Sequence, residues 1–121
     1  MAKTSPTQRS LAYLREQGMT VAIVERWNAF AKIRQDLFGF IDLVALCPRN
    51  GIIGIQTTTK VNMQARVNKI LAENKSKLWL EAGGRIIVHG WKKPGKRDKT
   101  RKWFCSQIEI NKWGICPVNK K

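Results

Sequence analysis

The chain contains few acidic residues and few of the residues that build disulfide or zinc frameworks. Asp and Glu number 8 of the 121 residues, against 23 Lys and Arg, and there is 1 histidine. The 3 cysteines, Cys47, Cys105 and Cys116, are odd in number and share no CxxC spacing. This pattern argues against a disulfide-stapled secreted domain and a structural zinc site, and it predicts reduced, buried thiols.

Long apolar segments are also missing from the sequence. The N-terminal stretch MAKTSPTQRSLAYLREQGM has no continuous apolar segment of the signal-peptide type, and no later segment approaches membrane-spanning length. We therefore expect a soluble, cytoplasmic protein with no membrane partner.

The charge that is present points to a polyanionic partner. The basic excess gives a formal net charge of +15 and a pI near 10.4. Basic surfaces gain affinity by displacing counterions from phosphates, so nucleic acid is the expected partner. A hydrophobic fraction of 43% over 121 residues predicts a single folded domain spanning 1–121 with its own core.

Hydrophobic patterning predicts an α/β fold in which a mixed sheet is flanked by helices. Residues 1–8 are expected to be flexible, and the basic segment 92–101 is expected to form an exposed loop. The turn residues Pro48-Arg-Asn-Gly51 predict a hairpin. The predicted elements, in order, are a helix at 10–17, strands at 20–27, 40–46 and 52–58, a helix at 62–81, and strands at 85–91 and 102–110.

The predicted second helix is amphipathic. Asn62 is the expected N-cap, and Gly83-Gly84 is expected to stop the helix. The predicted buried face consists of Met63, Val67, Ile70, Leu71 and Leu78.

Polar residues interrupt two of the predicted apolar strands. Asp42 has Phe40 and Val44 two positions away on either side, so it does not belong to an ordinary solvated face. A buried carboxylate needs a cation or hydrogen-bond donors. Gln56 lies on the returning strand, far enough along it to approach Asp42, and alternation places Thr58 and Lys60 on the face of Gln56.

Two interpretations of this cluster are open from the spacing. An acid, an amide oxygen and a hydroxyl on adjacent strands suit a hard divalent cation such as Mg²⁺. Alternatively, the aspartate fixes the hairpin register through backbone amides, and the polar run is a plain edge strand.

The segments Gly39-Phe-Ile-Asp42 and Ile55-Gln56-Thr57-Thr58 resemble the motif of the PD-(D/E)XK nuclease superfamily. The resemblance is strongest to its small Holliday-junction-resolvase-like and phage-type members and covers roughly residues 10–91. It implies a restriction-endonuclease-like α-β-β-β-α-β core. It also implies cleavage of nucleic acid phosphodiesters with Mg²⁺ or Mn²⁺ as cofactor.

The resemblance assigns roles to individual residues. Asp42 matches the motif aspartate and Gln56 the second acid, and both would bind metal together with the backbone carbonyl of Thr57. Thr58 stands where the family has a catalytic lysine, and Lys60 would take over that role. Because Gln56 is neutral, the resemblance implies weak metal affinity with Mn²⁺ preferred.

Other residues extend this prediction to further ligands and substitutes for the missing lysine. Glu25, after the first strand, and Asp36, before the second, are candidate metal ligands; the alternatives are an ion pair for Glu25 and a turn cap for Asp36. Lys69 or Arg66 on the following helix would also supply the missing positive charge.

Nucleic acid contacts are expected from basic and aromatic side chains. Trp27 and Trp103 are the tryptophans most suited to base stacking, the others being expected in the core. His89 is expected to be a hydrogen-bonded strand histidine. The predicted phosphate-contacting residues are Arg66, Lys69, Lys92, Lys93, Lys96, Arg97, Lys99 and Arg101.

Three functions are compatible with the sequence. The first is a divalent-metal-dependent DNA endonuclease, selective for branched DNA and working as a homodimer if it cuts two strands. The second is a non-catalytic DNA- or RNA-binding module on a degenerate nuclease fold. The third is a basic ribosome-associated or RNA-binding protein, which leaves Asp42 unexplained.

Overall fold

The computed structural model describes residues 4–97, 102–111 and 114–118, which form a mixed α/β structure. No helix in these ranges is both long and apolar enough to cross a membrane. The helices are α1 (Pro6–Glu16), α2 (Met63–Ala72) and α3 (Asn74–Glu81), with a 3₁₀ turn at Lys60–Asn62. The strands are β1 (Thr20–Ile23), β2 (Arg26–Asn28), β3 (Ile33–Gln35), β4 (Leu43–Cys47), β5 (Gly51–Thr59), β6 (Arg85–Lys92), β7 (Phe104–Asn111) and β8 (Gly114–Pro117).

The strands are arranged in two sheets. The main sheet has the order β1-β4-β5-β6-β7-β8, and β2 pairs with β3 in a separate two-stranded sheet. Within the main sheet β5 and β6 are parallel, whereas the other neighbours are antiparallel. The predicted mixed sheet and the hairpin at the Pro48–Gly51 turn are confirmed.

Helices cover both faces of the main sheet, as the sequence predicts. On one face, Leu11 and Leu14 of α1 pack against a cluster that includes Ile55 of β5. On the other face, Val67 and Ile70 of α2 belong to a second apolar cluster. Buried polar residues of the sheet, such as Gln56 and His89, therefore lie between two packed layers and are shielded from water.

The predicted strand at 20–27 is wrong in its second half. β1 ends at Ile23, because the backbone N–H groups of Val24 and Glu25 both donate to the carbonyl oxygen of Asp42, at 2.9 and 3.3 Å. The chain then leaves the main sheet and forms the separate β2–β3 hairpin.

The predicted long helix is broken in two at Glu73, whose backbone is extended (φ −87°, ψ 119°). The Ser76 hydroxyl donates to the carbonyls of Ile70 and Glu73, each at 2.8 Å, and so satisfies backbone acceptors at the break. Leu71 of α2 and Leu78 of α3, which were predicted to be buried, are 45% and 62% exposed. Trp79 and Leu80 pack against the core instead.

Several boundaries also differ from the predictions. α1 begins at Pro6, with the Ser5 hydroxyl accepting from the backbone N–H of Gln8 at 3.1 Å. Asn62 makes no side-chain cap to α2 and donates to the Thr59 hydroxyl instead. β4 begins only at Leu43, and β8 was not predicted.

The three thiols are not all buried. Cys105 is buried as predicted, Cys47 is partly exposed and Cys116 is exposed. No disulfide joins these three described cysteines.

His89 is a buried strand histidine, as predicted. It is 1% exposed on β6, and its Nδ1 lies 2.8 Å from the Ser10 hydroxyl of α1. The same hydroxyl accepts from Nε1 of Trp91 at 2.9 Å, so one serine joins the helix to two side chains of β6. Burial lowers the pKa of His89 from 6.5 to about 4.

We expect this histidine to make the protein less stable in mild acid. The unfolded chain binds a proton near pH 6.5, while the folded chain resists it until about pH 4. Stability from His89 is therefore complete above pH 6.5 and is lost as the pH falls toward 4, by about 3 kcal/mol. Urea unfolding of wild type and His89→Gln between pH 8 and 4 tests this. The difference between the two proteins should shrink as the pH falls, and a constant difference would contradict the assignment.

Candidate metal centre

The backbone of Asp42 lies between β1 and β5, at the point where β4 begins. Its N–H donates to the Ile55 carbonyl at 2.9 Å, and its carbonyl accepts from the N–H groups of Val24 and Glu25. These bonds hold Val24, which follows β1, against Asp42, which precedes β4. Glu25 is therefore placed beside Asp42 by backbone pairing.

A tight turn brings Asp36 to the same place. Leu37 and Ile41 form a β-bridge, so the residues on either side of it, Asp36 and Asp42, are brought together. Phe38 and Gly39 between them both have positive φ, 55° and 85°. Such a turn favours glycine because a side chain is strained in the left-handed region.

The carboxylates of Glu25, Asp36 and Asp42 form one acidic cluster. One oxygen from each lies within 4.8 Å of the others. Asp42 is only 3% exposed. Burial is the main cause that raises the pKa of Asp42 from 3.8 to about 8; a hydrogen bond with Asp36 and the charges of Asp36 and Glu25 add to it, and the Thr57 N–H opposes it.

Asp42 is also tied to β5. Its Oδ2 accepts from the Thr57 N–H at 2.8 Å, from the Thr57 hydroxyl at 3.1 Å and from Gln56 Nε2 at 2.7 Å. The Thr57 hydroxyl in turn lies 2.9 Å from that of Thr7 on α1. A backbone N–H thus reaches Asp42, as expected for a register-fixing aspartate.

Gln56 has a buried oxygen without a partner. The side chain is 1% exposed; its Nε2 donates to Asp42 and, at 3.4 Å, to Asp36. Its Oε1 has no hydrogen-bond partner among the described residues. Rotating the amide by half a turn exchanges the two atoms and points the oxygen at the carboxylates, an arrangement that a bound cation or a protonated carboxyl group would favour.

The donor set therefore fits a hard divalent cation. Three carboxylates close together repel one another unless a proton or a cation lies between them. The amide oxygen of Gln56 adds a fourth oxygen of the kind that Mg²⁺ and Mn²⁺ accept. The cluster contains no sulfur or imidazole ligand, which separates it from structural zinc sites.

An open cleft of about 840 Å³ adjoins the acidic cluster, and cations line it. Arg26 and Arg34 come from the β2–β3 hairpin, Lys69 from α2 and Lys75 from α3, with Asp36 among them. Arg34 also pairs with Glu25 at 3.2 Å, so the ion pair that was the alternative expectation for Glu25 occurs, and its role as a metal ligand stays a prediction. On such a surface the acidic cluster can hold a cation, and the surrounding arginines and lysines can bind a phosphate group next to it.

Two of the predicted catalytic residues lie away from these contacts. Thr58 is buried in β5, and its backbone pairs with Gly90. β5 ends at Thr59, and Lys60 begins the 3₁₀ turn with an exposed side chain. The strand on which the alternation was counted therefore ends one residue before Lys60, and the role of Lys60 stays a prediction. Thr57 contacts Asp42 through its N–H and hydroxyl, whereas the sequence predicted a role for its carbonyl.

The predicted phosphate-contacting residues are spread over two regions. Lys69 is exposed on α2 at the cleft, and Arg66 is partly exposed one turn earlier. In the predicted basic loop, Lys92 is the last residue of β6, and Lys93, Lys96 and Arg97 are exposed. Lys99 and Arg101 lie outside the described residues.

Sequence reasoning missed Arg26, Arg34 and Lys75 as cleft residues. A signal for the arginines was present, because Glu25 and Asp36 flank a segment, RWNAFAKIRQ, with three basic residues and no acid. Lys75 could not be found this way, since its position depends on the break before α3.

Comparison with known proteins does not assign the chain to a family: no family model, no curated protein and no solved structure matches it.

Proposed function

We propose that the protein is a divalent-metal-dependent DNA endonuclease that uses the acidic cluster as its metal centre. The observation that carries this proposal is the cluster of three carboxylates, whose oxygens lie within 4.8 Å of one another. Buried Gln56, whose Oε1 has no partner in the described part of the chain while its Nε2 contacts this cluster, supports it. The cationic cleft next to them and the net charge of +15 support a phosphodiester as the substrate.

The order of the elements supports a restriction-endonuclease-like core. Helix α1, strands β1, β4 and β5, helices α2 and α3, and parallel strand β6 follow the order helix, three strands, helix, strand. The β2–β3 hairpin is an insertion between the first two strands of this order. β7 and β8 extend the sheet beyond it.

The roles of the residues follow from their positions. Asp42, Asp36, Glu25 and the amide oxygen of Gln56 would hold Mg²⁺ or Mn²⁺, which when bound polarises a phosphate oxygen and makes water a better nucleophile. The Thr57 N–H and hydroxyl fix the orientation of Asp42. The side chain cannot turn away from the cluster without losing these bonds.

Lys69 and Lys75 are the described lysines that line the cleft. Each can supply the positive charge that the resemblance assigned to the position of Thr58. Their place on helices that follow β5 suits them to bind a phosphate oxygen or to stabilise charge that develops in the transition state.

We expect Lys69→Ala to reduce cleavage about tenfold to a hundredfold, the effect of removing one charge-assisted contact to a transferring phosphate. Lys77→Ala is the matched control, because Lys77 is an exposed lysine of α3 outside this cleft. Cleavage rates in Mn²⁺ should separate the two variants. Equal cleavage rates in the two variants would mean that a residue other than Lys69 supplies the catalytic positive charge.

A second function, a binding module without catalysis, is favoured by the neutral Gln56 and Thr58 at motif positions. Cleavage of branched, duplex and single-stranded DNA with Mg²⁺, Mn²⁺ or EDTA decides between the two. The endonuclease predicts metal-dependent products from at least one substrate. Salt-sensitive binding of DNA or RNA with no product under any metal would favour the binding module.

A further inference from the structure

The β2–β3 hairpin presents an exposed aromatic tip on a rigid turn. Asn28 Oδ1 accepts hydrogen bonds from the N–H groups of Phe30 and Ala31, at 3.0 and 3.1 Å, and so fixes the turn. Phe30 is fully exposed, with a relative accessible area of 102%, and Trp27 is 60% exposed. A fixed turn that keeps two aromatic rings exposed to water indicates a binding surface for another molecule.

The charge around these rings indicates the chemistry of that partner. Arg26, Lys32 and Arg34 are exposed on the same hairpin, and the segment 26–35 contains no acid. Trp27 pairs across the strands with Arg34, so both side chains leave the same face of the hairpin. In a symmetric contact with a second copy, these like charges would face each other and repel.

We propose that this hairpin is a wedge that stacks Phe30 and Trp27 on unpaired or unstacked bases of a branched or gapped DNA. Aromatic rings bind bases through their π faces, while the neighbouring arginines bind the backbone phosphates. Paired bases inside a regular duplex offer no such faces. This proposal deepens the proposed endonuclease function. The distance between the wedge and the cut rests on that function, whereas the stacking itself does not.

The base of the hairpin is the metal centre itself. Glu25 and Asp36, which flank the segment, belong to the acidic cluster. Phe30 is five residues from Glu25, so it lies no more than about 17 Å from it. This is about five base-pair steps, so a base stacked on Phe30 would lie close to the phosphate that is cut.

Stacking can be tested apart from cutting, in EDTA. We would measure fluorescence anisotropy with a four-way junction and with a matched duplex, and the quenching of 2-aminopurine at the branch point. The variants are Phe30→Ala and Phe30→Trp; Val61→Ala, at an apolar residue that is 90% exposed outside the hairpin, is the control. Thermal unfolding of each variant checks that its fold is intact.

We expect Phe30→Ala to weaken junction binding at least about fivefold and to abolish the quenching, with duplex affinity changed little. Phe30→Trp and Val61→Ala should bind as wild type does. Wild-type affinity and quenching in Phe30→Ala would overturn the wedge, as would an equal loss on duplex. Sedimentation showing that Phe30→Ala only abolishes dimerisation would also overturn it. Absence of cleavage by wild type in Mn²⁺ would rule out the proposed endonuclease activity. It would leave the stacking result unaffected.

Discussion

Asp42→Asn is expected to cleave DNA about a thousandfold more slowly than wild type in Mn²⁺ or Mg²⁺, a loss of about 4 kcal/mol in transition-state stabilisation. The substitution keeps the shape of the side chain and an oxygen that can accept from Thr57 and Gln56. It removes the charge at the centre of the acidic cluster, so it should weaken metal binding without disturbing the hairpin.

The measurement is single-turnover cleavage at several metal concentrations, because a weakened site is partly restored by excess ion. Glu81→Gln, which removes an exposed acid at the end of α3, is the matched acid-to-amide control. Binding of DNA in EDTA should be unchanged in both variants. Equal cleavage by Asp42→Asn and wild type would contradict the assignment of the site.

The second large effect is on stability, and its size is expected to depend on the metal. The pKa of Asp42 is raised from 3.8 to about 8 in the folded protein. Stability linked to its proton is therefore complete below pH 4 and is lost as the pH rises toward and through 8. Asn cannot lose that proton, so at pH 8 in EDTA Asp42→Asn should be more stable than wild type.

Saturating Mn²⁺ should narrow this difference by stabilising wild type. At about a hundredfold excess over its Kd, a ligand of the folded state adds about 2.7 kcal/mol, which raises the Tm of a chain of this size by about 10 °C. Wild type should show this shift, and Asp42→Asn should show little of it. Thermal unfolding of both proteins at pH 8, in EDTA and in Mn²⁺, checks the prediction. The same Tm shift in both would place the ion outside the cluster.

Local sequence signals predicted the part of the fold that depends on apolar strands and tight turns. The β4–β5 hairpin follows from Pro48–Gly51 and the two apolar runs that this turn joins. The β2–β3 hairpin gave no such signal, because its side chains are largely exposed and show no buried alternation. The helix break at Glu73 rests on hydrogen bonds made by Ser76, which periodicity does not reveal.

The candidate site was predictable where polar residues interrupt a core. Asp42 and Gln56 stood out for that reason, and the structure brings them to 2.7 Å of each other. Alternation is a weak guide to Lys60, because the strand ends one residue before it. Lys75 could not be predicted, since tertiary packing of α3 brings it to the cleft.

The central claim, that the acidic cluster holds a divalent cation, is tested most directly by a crystal structure in Mn²⁺ with anomalous data. The account predicts a Mn²⁺ peak among Glu25, Asp36 and Asp42, with the Gln56 amide turned so that Oε1 faces the ion. A cluster that stays empty at saturating Mn²⁺, with Gln56 Nε2 still on Asp42, would contradict it.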